Sequence, residues 1–261
     1  MTTMKTKLDI AKNWLPRYTG TQIKEFGEFI LLTNFYDYVK SFSDKFGTEI
    51  KGIGKPMQTC TNKDGLTIIN YGVGSANAAL IMDLLVARMP KAVLFLGKCG
   101  GLKKTTSIGH FILPIAAIRG DGTSDDYMPK EVPALPSFAI HKYCSNKITE
   151  LKQQYKTGVV YTTNRRVWEW DENFKKKLRD MRTIAIDMET ATYFIVGHAN
   201  EIPRGALLLV SDVPMIPAGI KTEESDKIVT KNFSALHLQI GIETMMEVSK
   251  KKGMLKHYTF N

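Results

Sequence analysis

The sequence has few cysteines and no long apolar run. Among its 261 residues there are three cysteines, Cys60, Cys99 and Cys144, and their wide spacing fits neither a metal-ligand motif nor a disulfide framework. No apolar stretch approaches the roughly 20 residues that a membrane-spanning helix needs. The first residues also lack the apolar segment of a secretion signal. We therefore expect a protein of the reducing cytoplasm with no membrane partner.

Acidic residues are scarce relative to basic ones, and the formal net charge is +10. Such an excess suits either nucleic-acid binding or the attraction of small anionic substrates. The lysines are scattered over the predicted helices and do not alternate with aromatic residues that could stack on bases. We interpret most of them as solvated surface residues, and we expect no nucleic-acid partner.

Strands and helices alternate along the chain, and no linker, repeat or low-complexity tract interrupts them. Hydrophobic residues make up 43% of the chain, which is enough for a large core. The pattern predicts one α/β domain over residues 1–261. In detail it predicts a strand over 92–96 that ends in a glycine loop over 97–101, a helix over 138–155 before a short strand over 158–161, and a C-terminal helix over 223–252.

Two strand ends carry acidic residues. A short strand over 184–188 changes to a helical pattern at Glu189, which places Asp187, Met188 and Glu189 where open α/β sheets bind ligands. A second strand, over 206–210, ends in Ser211 and Asp212, about one αβ unit further along. The two ends would be neighbours in a parallel sheet. Each acid alone is explained equally well as a helix cap or a turn residue, but the pair favours a ligand site.

Other strand ends are rich in glycine or small polar residues. The Gly72–Ser75 turn before a helix suits anion binding by its N–H groups, although it matches neither a dinucleotide fingerprint nor a P-loop. Arg165 and Arg166 also follow a strand, either as a surface pair or as a clamp for an anion such as phosphate. Neither a Ser-His-Asp elbow nor a His-Glu-x-x-His motif occurs.

These motifs together resemble the nucleoside phosphorylase and nucleosidase superfamily, from about Phe29 to the C-terminal helix. The resemblance implies a mixed central sheet flanked by helices. It also implies that Met188 and Glu189 hold the ribose, that Asp212 gives a proton to the purine ring, and that the glycine stretch lies along the base. The other substrate-binding residues that it suggests are Asn34, Gly100, Gly101 and Ser211.

Within the superfamily the chain resembles the AMP nucleosidase family most. The similar segments are Arg17–Gly20, Leu31–Phe35, Gly120–Tyr127, Pro133–Pro136 and Tyr161–Trp168. This resemblance implies hydrolysis of AMP without a metal or cofactor, with the 5′-phosphate held by Arg165, Arg166 and Arg17, the last from a neighbouring subunit. It also implies a homo-oligomer, a hexamer built from dimers.

The chain departs from the phosphorylase pattern where those enzymes hold inorganic phosphate. Residues 33–37 contain no arginine, and Phe95 stands near the position of a second phosphate-binding arginine. An apolar side chain cannot neutralise a buried phosphate, so water is the expected nucleophile. The alternatives are a phosphorolytic purine or uridine nucleoside phosphorylase, a basic nucleic-acid-binding protein, and a non-catalytic nucleotide sensor.

Overall fold

The predicted alternation of strands and helices is present in the computed structural model, which describes residues 5–250. Within that range the helices are α1 (Lys7–Thr19), α2 (Tyr36–Phe46), α3 (Ser75–Leu84), α4 (Phe138–Glu150), α5 (Glu172–Asp180), α6 (Thr190–Ala199) and α7 (Glu223–Lys250). The strands are β1 (Phe29–Thr33), β2 (Gln58–Thr61), β3 (Leu66–Asn70), β4 (Ala92–Gly101), β5 (Phe111–Gly120), β6 (Tyr155–Thr163), β7 (Ala185–Asp187) and β8 (Arg204–Asp212).

All eight strands belong to one mixed sheet, in the order β2-β3-β1-β4-β7-β6-β5-β8, and β8 pairs back onto β4. The strands β4, β7, β6, β5 and β8 therefore close into a ring, and β1, β3 and β2 extend from the first half of β4. The pairs β2–β3, β4–β7 and β5–β8 are antiparallel and the others are parallel. This confirms the predicted α/β class with a mixed central sheet.

Apolar side chains cover both faces of the sheet. One buried cluster includes residues from α1, α3 and α6, and the other includes residues from α2, α4 and α7. Helix α6 is buried along most of its length, which explains why its sequence is apolar on every side. In the described range no helix combines the length and the apolar character needed to cross a membrane.

The predicted glycine loop over 97–101 is wrong, because these residues continue β4. Their backbone pairs with β8 on one side and with β7 at Gly100 and Gly101 on the other. A Cβ at Gly97 would lie 2.4 Å from the ring of Phe95. The glycines thus allow close packing inside a strand here, whereas the prediction took them as signals for a turn.

Three other boundaries differ from the sequence prediction. Helix α4 ends at Glu150, a turn and loop over 151–154 replace most of the predicted last helical turn, and Tyr155 begins β6. Strand β2 was not predicted. The first helix, which the sequence predicts over 5–15, extends through Arg17 to Thr19. It ends at Gly20, which has the left-handed conformation. The last two residues of the predicted C-terminal helix lie outside the described range.

The two acidic strand ends are not neighbours in a parallel pair, as the sequence suggested. Strand β7 is antiparallel to β4, whereas β8 is parallel to it, and the two lie on opposite sides of β4. Gly100 of β4 pairs with Ile186 of β7 and with Asp212 of β8. The acidic ends therefore come together around the last residues of β4.

Candidate active site

A cavity of about 190 Å³ opens where several strands end. Its walls come from the residues after β1, the second half of β4, the end of β6, the β7–α6 junction and the end of β8. Most of the predicted site residues line it, namely Asn34, Gly100, Arg165, Arg166, Met188, Glu189, Ser211 and Asp212. Gly101 and Arg17 do not line the cavity within this chain.

Glu189 is held at the cavity by the glycine turn that precedes α3. The N–H of Gly74 donates to its Oε1 at 2.7 Å, and Gly74 has a φ of 96° that disfavours other residues. The hydroxyl of Ser75 donates to the carbonyl of Met188 at 2.7 Å. The anion bound by this turn is thus the carboxylate of Glu189 itself. Both contacts fix the Met188–Glu189 pair against the start of α3.

Burial raises the pKa of Glu189 to about 8, and the neighbouring carboxyl of Asp187 adds to the shift. Hydrogen bonds from Gly74, Met188 and Asn34 oppose it. Since the side chain is only 2% exposed, its charged form is costly at this buried position. A bound group with positive charge would favour ionisation of Glu189.

Asp187 has a structural role, which answers the question of whether Glu189 is merely a helix cap. The carboxylate of Asp187 accepts the N–H groups of Glu189 at 3.3 Å and of Thr190 at 2.8 Å at the start of α6. It also accepts the hydroxyl of Thr162 at 2.7 Å. Asp187 therefore satisfies the helix N-terminus, and the carboxylate of Glu189 remains directed at the cavity.

Asp212 lies at the opposite wall and is 9% exposed. Its Oδ1 accepts the hydroxyl of Ser211 at 2.6 Å. Burial raises the pKa of Asp212, although the hydrogen bond from Ser211 and the charges of Lys221 and Arg166 oppose the shift. A carboxyl in this setting can remain protonated and donate to a bound ligand.

The backbone of Gly100 faces Asp212. A Cβ at Gly100 would lie 2.9 Å from Pro214 and 3.2 Å from Oδ2 of Asp212. The absence of that atom lets Pro214 and the carboxyl of Asp212 pack closely against the β4 backbone at the cavity. The family resemblance predicts that Gly100 lies along a bound base, and this role stays a prediction.

Each of the two predicted arginines is paired with an acid. Arg165 donates to Asp171 at 2.7 Å and lies over the ring of Trp170, and Arg166 donates to Glu169 at 3.2 Å. Their side chains are 43% and 59% exposed. To bind a phosphate they would have to exchange these partners.

Arg17 lies on the last turn of α1 and is exposed. Phe95, the apolar residue that the sequence singled out, is fully buried in the core between Tyr71 and Tyr193. It therefore contributes no polar group to the cavity.

The sequence analysis missed two lysines that line the cavity, Lys98 and Lys221. Lys98 has a side chain that is only 5% exposed and pairs with Asp226 on α7. Its position inside the apolar strand β4 was the available signal, because a lysine is rarely buried without a partner.

Comparison with known proteins identifies relatives over most of the chain. Residues 28–241 match the phosphorylase superfamily. An AMP nucleosidase of Escherichia coli is 30% identical over 92% of this chain. The match spans 58% of the length of that relative. A uridine phosphorylase of Treponema pallidum is 23% identical over 74% of this chain and 80% of its own.

Among solved structures, an AMP nucleosidase from Bacteroides thetaiotaomicron is similar with a TM-score of 0.85. It is 49% identical in sequence, over 94% of this chain and 98% of that one. A uridine phosphorylase from Vibrio fischeri shares the fold, with a TM-score of 0.77. It is 19% identical in sequence, over 86% of this chain and 94% of that one.

Proposed function

Because this chain belongs to the phosphorylase superfamily, we propose that it hydrolyses the N-glycosidic bond of AMP to give adenine and ribose 5-phosphate. The observation that carries the proposal is one cavity lined by both Met188–Glu189 and Ser211–Asp212. The similarity to two proteins named AMP nucleosidase, at 30% and 49% identity, supports this substrate over the nucleosides of the more distant phosphorylases.

The proposed mechanism assigns opposite roles to the two carboxyl groups. Cleavage of the bond builds positive charge on the ribosyl ring and negative charge on the departing purine. Glu189 would hold the 2′ and 3′ hydroxyls and stabilise the cationic sugar, with Met188 packed on the ring. Asp212, whose pKa is raised by burial, would in its protonated form donate to a purine nitrogen. Gly100, Gly101, Ser211 and Asn34 are the other proposed substrate contacts.

Water is the proposed nucleophile. Residues 33–37, at the end of β1 and just after it, include no arginine, and Phe95 is buried in the core. A phosphorolytic enzyme has to neutralise a phosphate at the anomeric carbon, and these positions supply no arginine for it. Phosphorolysis remains the alternative because named phosphorylases are relatives as well.

The 5′-phosphate of AMP requires a cationic surface. Arg165 and Arg166 line the cavity, and we propose that they contact the phosphate after exchanging their acidic partners. Arg17 would join them from a neighbouring subunit of a homo-oligomer, proposed to be a hexamer. Exposed apolar side chains on α1, at Leu8, Ile10 and Trp14, support a subunit contact there.

We propose that the whole chain, residues 1–261, acts as one catalytic domain in purine salvage in the cytoplasm. The three cysteines are buried and unpaired, which supports a reducing compartment.

The test is to incubate the protein with AMP and with adenosine, each with and without inorganic phosphate. Hydrolysis predicts free adenine and ribose 5-phosphate from AMP in phosphate-free buffer. A strict requirement for phosphate together with a sugar 1-phosphate product would instead establish phosphorolysis. Absence of any base release would favour a non-catalytic nucleotide sensor.

A further inference from the structure

Two lysines on the cavity wall share one carboxylate. The Nζ atoms of Lys98 and Lys221 lie 2.9 Å and 2.8 Å from the same atom, Oδ1 of Asp226, in the first turn of α7. Both lysines line the cavity. Two ammonium groups held by a single carboxylate leave one unit of positive charge at this wall.

Lys98 is built into the wall more firmly than a surface lysine. Its ammonium also donates to the hydroxyl of Thr230 at 2.9 Å and lies 4.5 Å from the ring centre of Phe35. An ammonium carries three donors. Asp226 and Thr230 take two of them, and among the residues that the structure describes the third is left for a ligand at the cavity.

The arginine pair at the same cavity differs in its charge balance. Arg165 and Arg166 each have an acidic partner of their own, and both are more than two-fifths exposed. Their ion pairs are close to neutral and screened by water. Lys98 and Lys221, at 5% and 22% exposure, are better shielded. An anion therefore gains more at the lysines, where two ammonium groups share one ion-paired carboxylate and are less hydrated.

We infer that Lys98 and Lys221 form the inner seat for the 5′-phosphate of the nucleotide substrate, with Asp226 holding the two ammonium groups in position. This inference rests on the proposed function, since it assigns the phosphate of AMP. The exposed arginines then act at the outer side of the phosphate. The preference for a nucleotide over a nucleoside comes mainly from the lysines.

Asp226 opposes the loss of charge that burial favours at Lys98. Burial lowers the pKa of Lys98, and the hydrogen bond and charge of Asp226 oppose that shift. Burial also pushes the pKa of Asp226 upward, but its hydrogen bonds with Lys221 and Lys98 outweigh this and lower it. The carboxylate keeps its charge, orients both donors and cancels only one of their two positive charges.

The test measures kcat/KM for AMP and for adenosine in wild type, Lys98→Gln and Lys221→Gln. Losing a hydrogen bond to a charged phosphate should reduce the value for AMP by about 10- to 150-fold. Adenosine turnover should change by less than about threefold, because its contacts are untouched. Lys227→Gln is the matched control, since it removes an exposed, ion-paired lysine from α7, the helix that carries Asp226.

Circular dichroism establishes that the variants fold. Lys221 lies before α7 and is more exposed than Lys98, so Lys221→Gln does not disturb the core. An unchanged ratio of AMP to adenosine turnover in both variants, or an equal fall for both substrates, overturns the inference while leaving the proposed function intact.

If the wild type does not hydrolyse AMP, the proposed function fails and the seat is judged by calorimetry. Ribose 5-phosphate should then bind the wild type, and both variants should lose this binding. Binding that is equal in wild type and variants, or missing in wild type, overturns the inference.

Discussion

Asp212 is the residue whose protonation state decides the proposed chemistry. Its carboxyl is buried beside Ser211 and its pKa is raised by that burial. Asp212→Asn keeps the shape and a hydrogen-bond donor but cannot transfer a proton. Positioned general acids contribute about 10²–10⁴-fold, so kcat for AMP should fall by that factor. KM should change little, because the amide still holds the base.

This variant also separates catalysis from a structural role of Asp212. A turn residue at the end of β8 would tolerate asparagine, which favours turns as well. Steady-state kinetics with AMP, with circular dichroism as the folding control, gives the answer. Near-normal kcat in folded Asp212→Asn protein removes Asp212 from the mechanism.

Glu189 links activity to stability. Burial raises its pKa from 4.5 to about 8, so between those pH values the folded protein retains a proton that the unfolded chain has lost. Stability should therefore fall as pH rises through this window. Glu189→Gln removes the titration and should be more stable than wild type at pH 9, by on the order of 1–3 kcal/mol.

Thermal melts of both proteins across pH test this expectation. The two should differ least below about pH 4.5, where the wild-type carboxyl is protonated in both states. In turnover of AMP the variant should lose both kcat and affinity, since it lacks the charge facing the sugar. A stability difference that is independent of pH contradicts the assigned burial effect.

At the scale of single residues, the sequence identified the residues proposed for the chemistry. It did not identify the residues that contact them. Glu189 and Asp212 stood out because acids at the ends of apolar strands are exposed to ligands. Lys98 did not, because its partner Asp226 is 128 residues away along the chain. Likewise, only the structure could show that Asp187 caps α6, so that the carboxylate of Glu189 is not needed as the cap.

Among the elements, α3 positions the site through its first turn. Ser75 bonds the carbonyl of Met188 across 113 residues of sequence. Ser75→Ala removes this link, and since a neutral hydrogen bond contributes about 0.5–1.5 kcal/mol, kcat/KM for AMP should fall by about 2- to 10-fold. KM should account for most of the change, because Met188 contacts the ribose in the proposed complex.

A matched control is Ser145→Ala, which removes a helical serine hydroxyl bonded to Tyr155, distant from the cavity lining. It should leave kcat/KM near the wild-type value. If Ser75→Ala behaves like this control, the turn before α3 does not position the Met188–Glu189 pair.

The elements were predicted well where their patterns are local. The apolar run over 29–33 predicts a strand, and β1 has these bounds. The second half of β4 was missed because its glycines are selected by contacts with Phe95, Pro214 and Thr106, which no local pattern reveals. The same holds for β2, a four-residue edge strand held by its antiparallel partner β3.

At the scale of the whole molecule, the closure of the sheet is what brings the two carboxyl groups to one cavity. Strand β8 pairs with β4 and β5, so Asp212 reaches Gly100 although many residues separate them. Sequence patterns predict strands but not which of them pair. The mixed α/β class could therefore be inferred from the family resemblance, but the ring could not be derived from the residues.

The assembly itself can be tested through Arg17, which is exposed on α1 and does not line the cavity of its own chain. We expect Arg17→Ala to impair AMP turnover, as Asp212→Asn does. If Arg17 reaches a partner's site, co-expressed subunits carrying one substitution each should regain activity. Random mixing places both intact residues in about a quarter of the sites of a two-fold dimer.

The control is the same pair of proteins mixed after purification without subunit exchange, which should stay inactive. Light scattering after size-exclusion chromatography gives the number of subunits in each sample. Mixed oligomers that remain as inactive as the separate variants show that Arg17 does not act across an interface. A monomeric wild type that is fully active leads to the same conclusion, because each cavity would then need only the residues of its own chain.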